Sequence, residues 1–365
     1  FLRDVYGIRD RAIQRLLSML MAYDSALGGH MISIPAAIES RMLGLPSPAF
    51  FKKHFDYTPL EEEEPFLHHP PDGCATIARL LVKKLIPDIA SFEGAEQCMT
   101  ADFDYSKLDR KDQQVRIRLG STAVKLRNSG STVSVQYVQK GGALGGGEMK
   151  EIRARKVIMA AWHIMAARII PGLPEKQKEA LRANIKLPLV WAQVLLKNWE
   201  PMKKSGVAVS YCPGAYFQSV QCDFPVHFGE YKPVKDAGSP ISLLMVRMPC
   251  PPFLEQSIPR AVKAGLAEMM ATGEAEYVSQ IKQQLNGMYG AYGFQADRDI
   301  AHIKVNLWPH GYLWTDAIVN GEAAYLKASK RHGRIAFANA DSAGNAYLDN
   351  AIDTAFDAVA QLAKL

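Results

Sequence analysis

Arg334–Ile335–Ala336–Phe337–Ala338–Asn339–Ala340–Asp341–Ser342–Ala343–Gly344–Asn345, followed by a long amphipathic run from Tyr347, is the stretch on which the fold turns. It reads as an apolar strand ending in a carboxylate, a short Gly/Asn turn, and then a helix. A helix start leaves several backbone N–H groups unpaired and carries positive dipole character, which suits a phosphate or an electron-rich ring. Asp341, at the expected strand tip, is placed to accept a hydrogen bond from a sugar hydroxyl; the plainer alternative is a loop carboxylate capping the turn. Leu348, Ile352, Ala355, Val359 and Leu362 recur at three- and four-residue steps, as a helix requires. Asp349, Asp353 and Asp357 line another face, read as solvated rather than metal-binding.

Upstream, Lys156–Val157–Ile158–Met159–Ala160–Ala161 reads as a buried strand, with further strands over Pro188 to Leu196 and Ile241 to Met248. His302 to Leu307 is expected as a strand leading into Trp308–Pro309–His310–Gly311–Tyr312. From Val115 to Val138 short strands rich in Val, Leu and Thr are broken by the turn Asn128–Ser129–Gly130. Gly141 to Gly147 reads as a flexible hairpin loop, because no strand runs straight into it and no apolar helix follows. Residues 258–286 and most of 1–60 read as helical, with Ile13, Leu16, Leu17, Leu20 and Met21 on one face. After the solvated run Glu61–Glu64 and the turn His68–Gly73, a helix carries Ile77, Leu80, Leu81 and Leu85 on its apolar side. Strands and helices mix without a repeat, which predicts an α/β (α+β) body. No G-x-G-x-x-G fingerprint follows a first strand, so a complete dinucleotide-binding unit is missing.

The 365 residues exceed a usual single domain and predict about two. Hydrophobic content is 48% and charged content 22%, an ordinary globular balance. The net charge of +6 is spread without a basic block, which argues against nucleic acid as a partner. No apolar stretch reaches the roughly eighteen residues needed to span a bilayer, and the expectation is a soluble chain, periplasmic or cytoplasmic. Its start at Phe1 reads as a cut edge, so targeting signals are open. Five cysteines with no C-x-x-C pair point to neither zinc nor a disulfide framework, and no metal site is expected.

Several segments together resemble flavin-dependent amine oxidases of the bacterial spermidine dehydrogenase type. They are Pro71–Leu81, Asn198–Trp199, Asp223–Val226, Met245–Cys250, Asn306–Tyr312, Asn339–Asp341 and Ala346–Asp353, in that family's order and spacing. The resemblance implies a discontinuous FAD-binding domain and a substrate domain of sheet plus helices. The substrate domain would take residues 1–65 and 186–324, and the FAD domain 66–185 and 325–365. The N-terminal βαβ unit, the NAD(P)-binding-like Rossmann part that holds the ADP half, would come from a second chain or from a longer polypeptide.

Residue by residue, the resemblance places Asp341 near the ribityl and pyrophosphate groups and Leu348 with its N–H toward the pyrimidine edge of the flavin. Gly344 and Asn345 fall in the same cofactor-binding turn, and Ala123 at a strand position that meets the adenine. Tyr347, Trp308 and Tyr312 become the catalytic aromatic cage, orienting an amine by cation–π attraction; the alternative is that all three are core aromatics. The implied reaction is hydride transfer to FAD from the carbon beside an amine nitrogen, with a polyamine such as spermidine as substrate and Asp223, Glu230 and Asp316 as distant carboxylates. The strand Leu189–Val190–Trp191–Ala192–Gln193 lacks the lysine that many amine oxidases carry there, which leans toward an electron acceptor other than oxygen, such as a protein. The resemblance also associates haem with FAD, although none of His68, His69, His163, His227 and His310 stands out as its ligand. Two competing expectations stay open: a non-catalytic subunit that kept the fold, and one half of a split flavoenzyme.

Overall fold

The computed structural model describes residues 2–34, 37, 48–55, 70–140, 146–223, 226–250 and 257–365. Glu61–Glu64, His68, His69 and most of Gly141–Gly147 lie outside the described residues. In chain order the principal helices are α1 (Arg11–Ser25), α2 (Pro48–Phe55), α3 (Ala75–Leu85), α4 (His163–Ile169), α5 (Glu175–Ala183) and α6 (Glu200–Ser205). They continue with α7 (Ile258–Ala271), α8 (Glu274–Tyr289), α9 (Ala296–Asp299), α10 (Ala324–Ala328), α11 (Ala340–Ala343) and α12 (Leu348–Ala363). The strands are β1 (Ser121–Ser129), β2 (Thr132–Lys140), β3 (Gly147–Ala154), β4 (Val157–Met159), β5 (Lys186–Leu196) and β6 (Val209–Tyr211). After them come β7 (Ser219–Cys222), β8 (Ile241–Arg247), β9 (Ile300–Leu313), β10 (Ile318–Val319), β11 (Glu322–Ala323) and β12 (Ile335–Phe337). The chain forms two compact units: residues 1–65, 185–225 and 234–316, and residues 66–184, 226–233 and 317–365.

Strand alternation builds the first unit. Its antiparallel sheet runs in the order β6-β7-β8-β5-β9. Val190, Ala192, Val194 and Leu196 of β5, with Leu243 and Met245 of β8, form one buried face. Against it pack Met269 of α7 and Tyr277, Ile281, Leu285 and Tyr289 of α8. Each fully buried aliphatic side chain there contributes roughly 1.5–3 kcal/mol. The opposite face carries Leu187, Leu189 and Val246, which cluster with Ala26, Leu27, Met248, Cys250 and Val262. The helical stretch expected over 258–286 forms two helices, because Thr272–Gly273 ends α7 in extended backbone.

The strand expected over His302 to Leu307 runs on through Trp308 to Tyr312, all of which belong to β9. Pro309 and Gly311 sit where the register shifts between Leu187 and Leu189, so the bulge absorbs the missing proline N–H. A Cβ at Gly311 would lie 2.8 Å from the Leu187 carbonyl oxygen, and only glycine permits that approach.

In the second unit β1, β2 and β3 form an antiparallel meander, and β4 pairs in parallel with β12. Asn128, near the tip of the β1–β2 hairpin, clamps the approach to β12. Its Nδ2 donates to the His332 carbonyl at 3.1 Å, and its Oδ1 accepts the Arg334 N–H at 2.9 Å. The predicted strand over Lys156–Ala161 is shorter and less buried than expected, three residues with Ile158 exposed. In α3 the predicted apolar face is also half open, since Leu81 and Leu85 are exposed. The same holds for Ile13 and Leu16 of α1 in the first unit. No described helix is long and apolar enough to cross a membrane.

Candidate functional site

β12 delivers the chain into the closing segment: Ala338 N–H bonds the Met159 carbonyl at 3.1 Å, and Asn339 follows in extended backbone. Asn339 then caps α11, its Oδ1 accepting the Ser342 N–H at 2.8 Å while its Nδ2 donates to the Ala161 carbonyl at 2.6 Å. Asp341 therefore lies within the first turn of a short helix, not at the strand tip. It is 2% exposed, and its Oδ2 accepts the His163 backbone N–H at 3.3 Å, which neutralises the start of α4.

His163, which nothing in the sequence set apart from the other histidines, is fully buried at the first position of α4. Asn184 Nδ2 lies 2.8 Å from its Nδ1, and Ser342 Oγ lies 3.0 Å from its Nε2. The amide donates, so Nδ1 accepts and the proton sits on Nε2, which donates to Ser342. Ser342 Oγ in turn donates to Asn339 Oδ1 at 3.0 Å. Asn184, His163, Ser342 and Asn339 thus form a one-way relay of donors ending at the Ala161 carbonyl. This ring is neither a general base nor an axial metal ligand, because both nitrogens are engaged. Among the described residues no group of three or more His, Cys, Asp or Glu side chains is placed to hold a metal.

Gly344 closes α11 in left-handed backbone, φ +70°, and its N–H bonds the Asp341 carbonyl at 3.1 Å. A Cβ there would sit 2.8 Å from the Tyr325 ring, so that ring and the backbone together require glycine. Asn345 and Tyr347 are exposed beyond it. Tyr347 precedes α12 in extended backbone and gives it no side-chain cap. Leu348 is the first helical residue, and its N–H belongs to an open first turn. Within the same turn Asn350 Oδ1 is buried with no partner among the described residues. Of the stripe Leu348–Ile352–Ala355–Val359–Leu362 only the last residue is buried: Ile352 and Val359 are exposed, as is Phe356, and α12 packs through Leu362 and Ala358 onto Ala336 and Ala338. Ala123 is exposed on β1, at the outer edge of the meander.

Trp308 and Tyr312 belong to the first unit, whereas Asp341, Gly344, Asn345, Tyr347, Leu348 and Ala123 belong to the second. Trp308 stacks on Trp191 with ring centroids 5.2 Å apart and planes 7° apart. Trp191, which the sequence marked only by the lysine it is not, is the aromatic partner that sequence reasoning missed. Leu189 pairs with Trp308 and Trp191 with Asn306, so period-two alternation puts both rings on the face opposite Val190 and Ala192, the face against which Val262 of α7 also packs. Tyr312 packs with Trp314 against the Leu187–Leu189 cluster on that same face.

No protein-family model matches the chain, and no curated protein matches it. Among solved structures, cyclohexylamine oxidase from Brevibacterium oxydans IH-35A overlaps at a TM-score of 0.46 with 12% identity, covering 97% of this chain and 73% of that one. A wild-type putrescine oxidase bound to putrescine gives a TM-score of 0.43 and 14% identity over 67% of this chain. The chain spans about half the length (49%) of the putrescine oxidase it matches. Likeness this shallow leaves the fold to rest on the elements themselves.

Proposed function

We propose that this chain is the flavin- and substrate-facing part of an FAD-dependent amine oxidoreductase. The start of α12 carries the reading. Its first-turn N–H groups are uncapped by Tyr347, and beside them Asn350 Oδ1 is a buried acceptor without a described partner. The pyrimidine edge of a flavin offers both carbonyl acceptors and an N–H donor, which this mixture of donors and an orphan acceptor fits. When bound, the flavin supplies the hydride acceptor. The chain's own residues hold that edge through the Leu348 N–H and fix the turn below it through the His163 relay and Gly344. Asp341 has its place in that turn as an internal brace. Negative charge gathers at the edge on reduction, so an open N–H and a helix dipole favour the reduced cofactor.

Trp308, Trp191 and Tyr312, all in the first unit, form the aromatic surface proposed for the amine; Tyr347, exposed at the head of α12 in the second, is proposed by itself as an aromatic group beside the flavin seat. The substrate is proposed as a small amine, with polyamines such as spermidine within that class, and the acceptor as something other than oxygen. His163, with both ring nitrogens hydrogen-bonded, is not proposed as a haem ligand. Further strands and a helix, from a partner chain or a longer polypeptide, are proposed to complete the FAD domain. Two parallel strands of three residues fall well short of a stable sheet, and Ile352, Phe356, Val359 and Ile158 present apolar surface beside it.

Leu348→Pro tests the seat. Proline is tolerated at the first helical position and removes that N–H together with the leucine side chain, for which Leu348→Ala is the control. Flavin retained by the native assembly is expected to weaken roughly tenfold, as loss of a charge-assisted bond implies. Its midpoint potential is expected to fall. Unchanged affinity and potential would remove the seat from α12.

A further inference from the structure

Ala26 to Ser33 runs as a strap along the sheet face that carries Trp191. Ala26 and Leu27 are fully buried in the cluster of Leu187, Leu189 and Val246, and Met31 and Ile32 pack on that cluster together with Trp191, Tyr312 and Trp314. The strap starts under strain, because Ala26 sits in left-handed backbone at φ +57°, which disfavours a residue with a Cβ. Its other end is pinned. The Ser33 backbone N–H donates to Asp316 Oδ2 and Ser33 Oγ donates to Asp316 Oδ1, each at 2.8 Å, between residues 283 apart in sequence. Hydrogen bonds to a carboxylate are stronger than neutral ones, and one on each oxygen fixes the group in plane and direction. Asp316 lies just beyond the end of β9 at Leu313, so the pin ties the strap to the strand that supplies Trp308 and Tyr312.

We propose that Asp316 is a positioning residue: its two-pronged pin on Ser33 latches the strap and keeps the aromatic surface for the amine formed. This rests on the amine reading given above and deepens it. It also moves Asp316 from the place the resemblance implies, among distant carboxylates for a polyamine, to the frame behind that surface. A latch acts on every amine alike, because it sets the fraction of molecules in which the surface is formed, and apparent affinity scales with that fraction. A substrate carboxylate acts only on amines long enough to bring it a second ammonium.

The test compares wild type, Asp316→Ala, Asp316→Asn and Ser33→Ala in the native flavin-containing assembly, with hexylamine and spermidine. Flavin reduction gives kcat and KM. Tryptophan emission reports the strap, because Trp314 Nε1 is shielded from solvent while it is closed. Asp316→Ala is expected to raise KM for both amines about tenfold, the worth of one hydrogen bond to a charged group, with kcat nearly unchanged and emission shifted to the red. Asp316→Asn keeps an oxygen for Ser33 and should recover part of both effects. Ser33→Ala leaves the carboxylate in place and should raise KM for both amines about threefold, the worth of a weaker neutral prong. If Asp316→Ala weakens spermidine alone and Ser33→Ala is harmless, Asp316 is a substrate carboxylate and the latch is overturned. Unchanged KM and emission in both alanine variants would overturn it as well. Flavin reduced by neither amine would instead sink the amine reading, and the emission shift would then decide the latch by itself.

Discussion

The closing segment of the second unit and the Trp191–Trp308 face of the first treat polar groups in opposite ways. Around α11, His163, Asn184, Ser342, Asn339 and Asp341 satisfy one another, so a cluster that resembles a catalytic constellation in composition is architecture in geometry. On the sheet face, Ser219 is buried with a hydroxyl that nothing described answers. A satisfied network rigidifies its surroundings, whereas a buried hydroxyl left unanswered costs stability.

The sharpest way to break this contrast is His163→Ala. It opens a cavity and strands Asn184 and Ser342, and a loss of about 3–5 kcal/mol is expected in chemical denaturation. A change under 1 kcal/mol would mean that the relay does not brace the fold. Gly344→Ala should cost about 2–4 kcal/mol, combining the left-handed strain with the clash against Tyr325, read as a lower melting temperature. Asp341→Ala is expected to cost about 1–2 kcal/mol by uncapping α4, and to weaken flavin retention only through that loosening. Trp308→Ala, on the other face, should leave stability nearly unchanged because the ring is 43% exposed, yet weaken amine binding several-fold in a fluorescence titration.

The smallest effect concerns pH. Burial holds the His332 imidazole below its ordinary value, so the folded state binds fewer protons than the unfolded chain. Its contribution is full above the unfolded value of about 6.5 and is lost as pH falls through the folded one. Melting temperatures followed downward from neutral pH should drop less in His332→Gln than in wild type. By the same logic Cys250, buried with its thiol pushed up to about 12, should resist alkylation that exposed Cys74 accepts at once.

Much of this was legible in the sequence because local chemistry speaks plainly there. Asn128–Ser129–Gly130 announced the β1–β2 hairpin, and the three- and four-residue spacing after Tyr347 announced α12. Legibility failed where tertiary contacts override local signals. Pro309 and Gly311 are breakers in any window, yet a bulge opposite Leu187–Leu189 keeps them in β9. His163 looks identical in sequence whether solvated or buried, and only Asn184 and Ser342, distant along the chain, assign its proton. The α12 stripe gave the right period but only its last residue is buried, because Ala336 and Ala338 take Leu362 and Ala358 while Ile352 and Val359 stay exposed.

The central claim is met most directly by the visible absorption spectrum of the purified native assembly, recorded anaerobically before and after adding an amine. Oxidised-flavin bands that bleach with spermidine or a simpler amine are the expected result. A colourless preparation, or flavin bands that no amine bleaches, would contradict it.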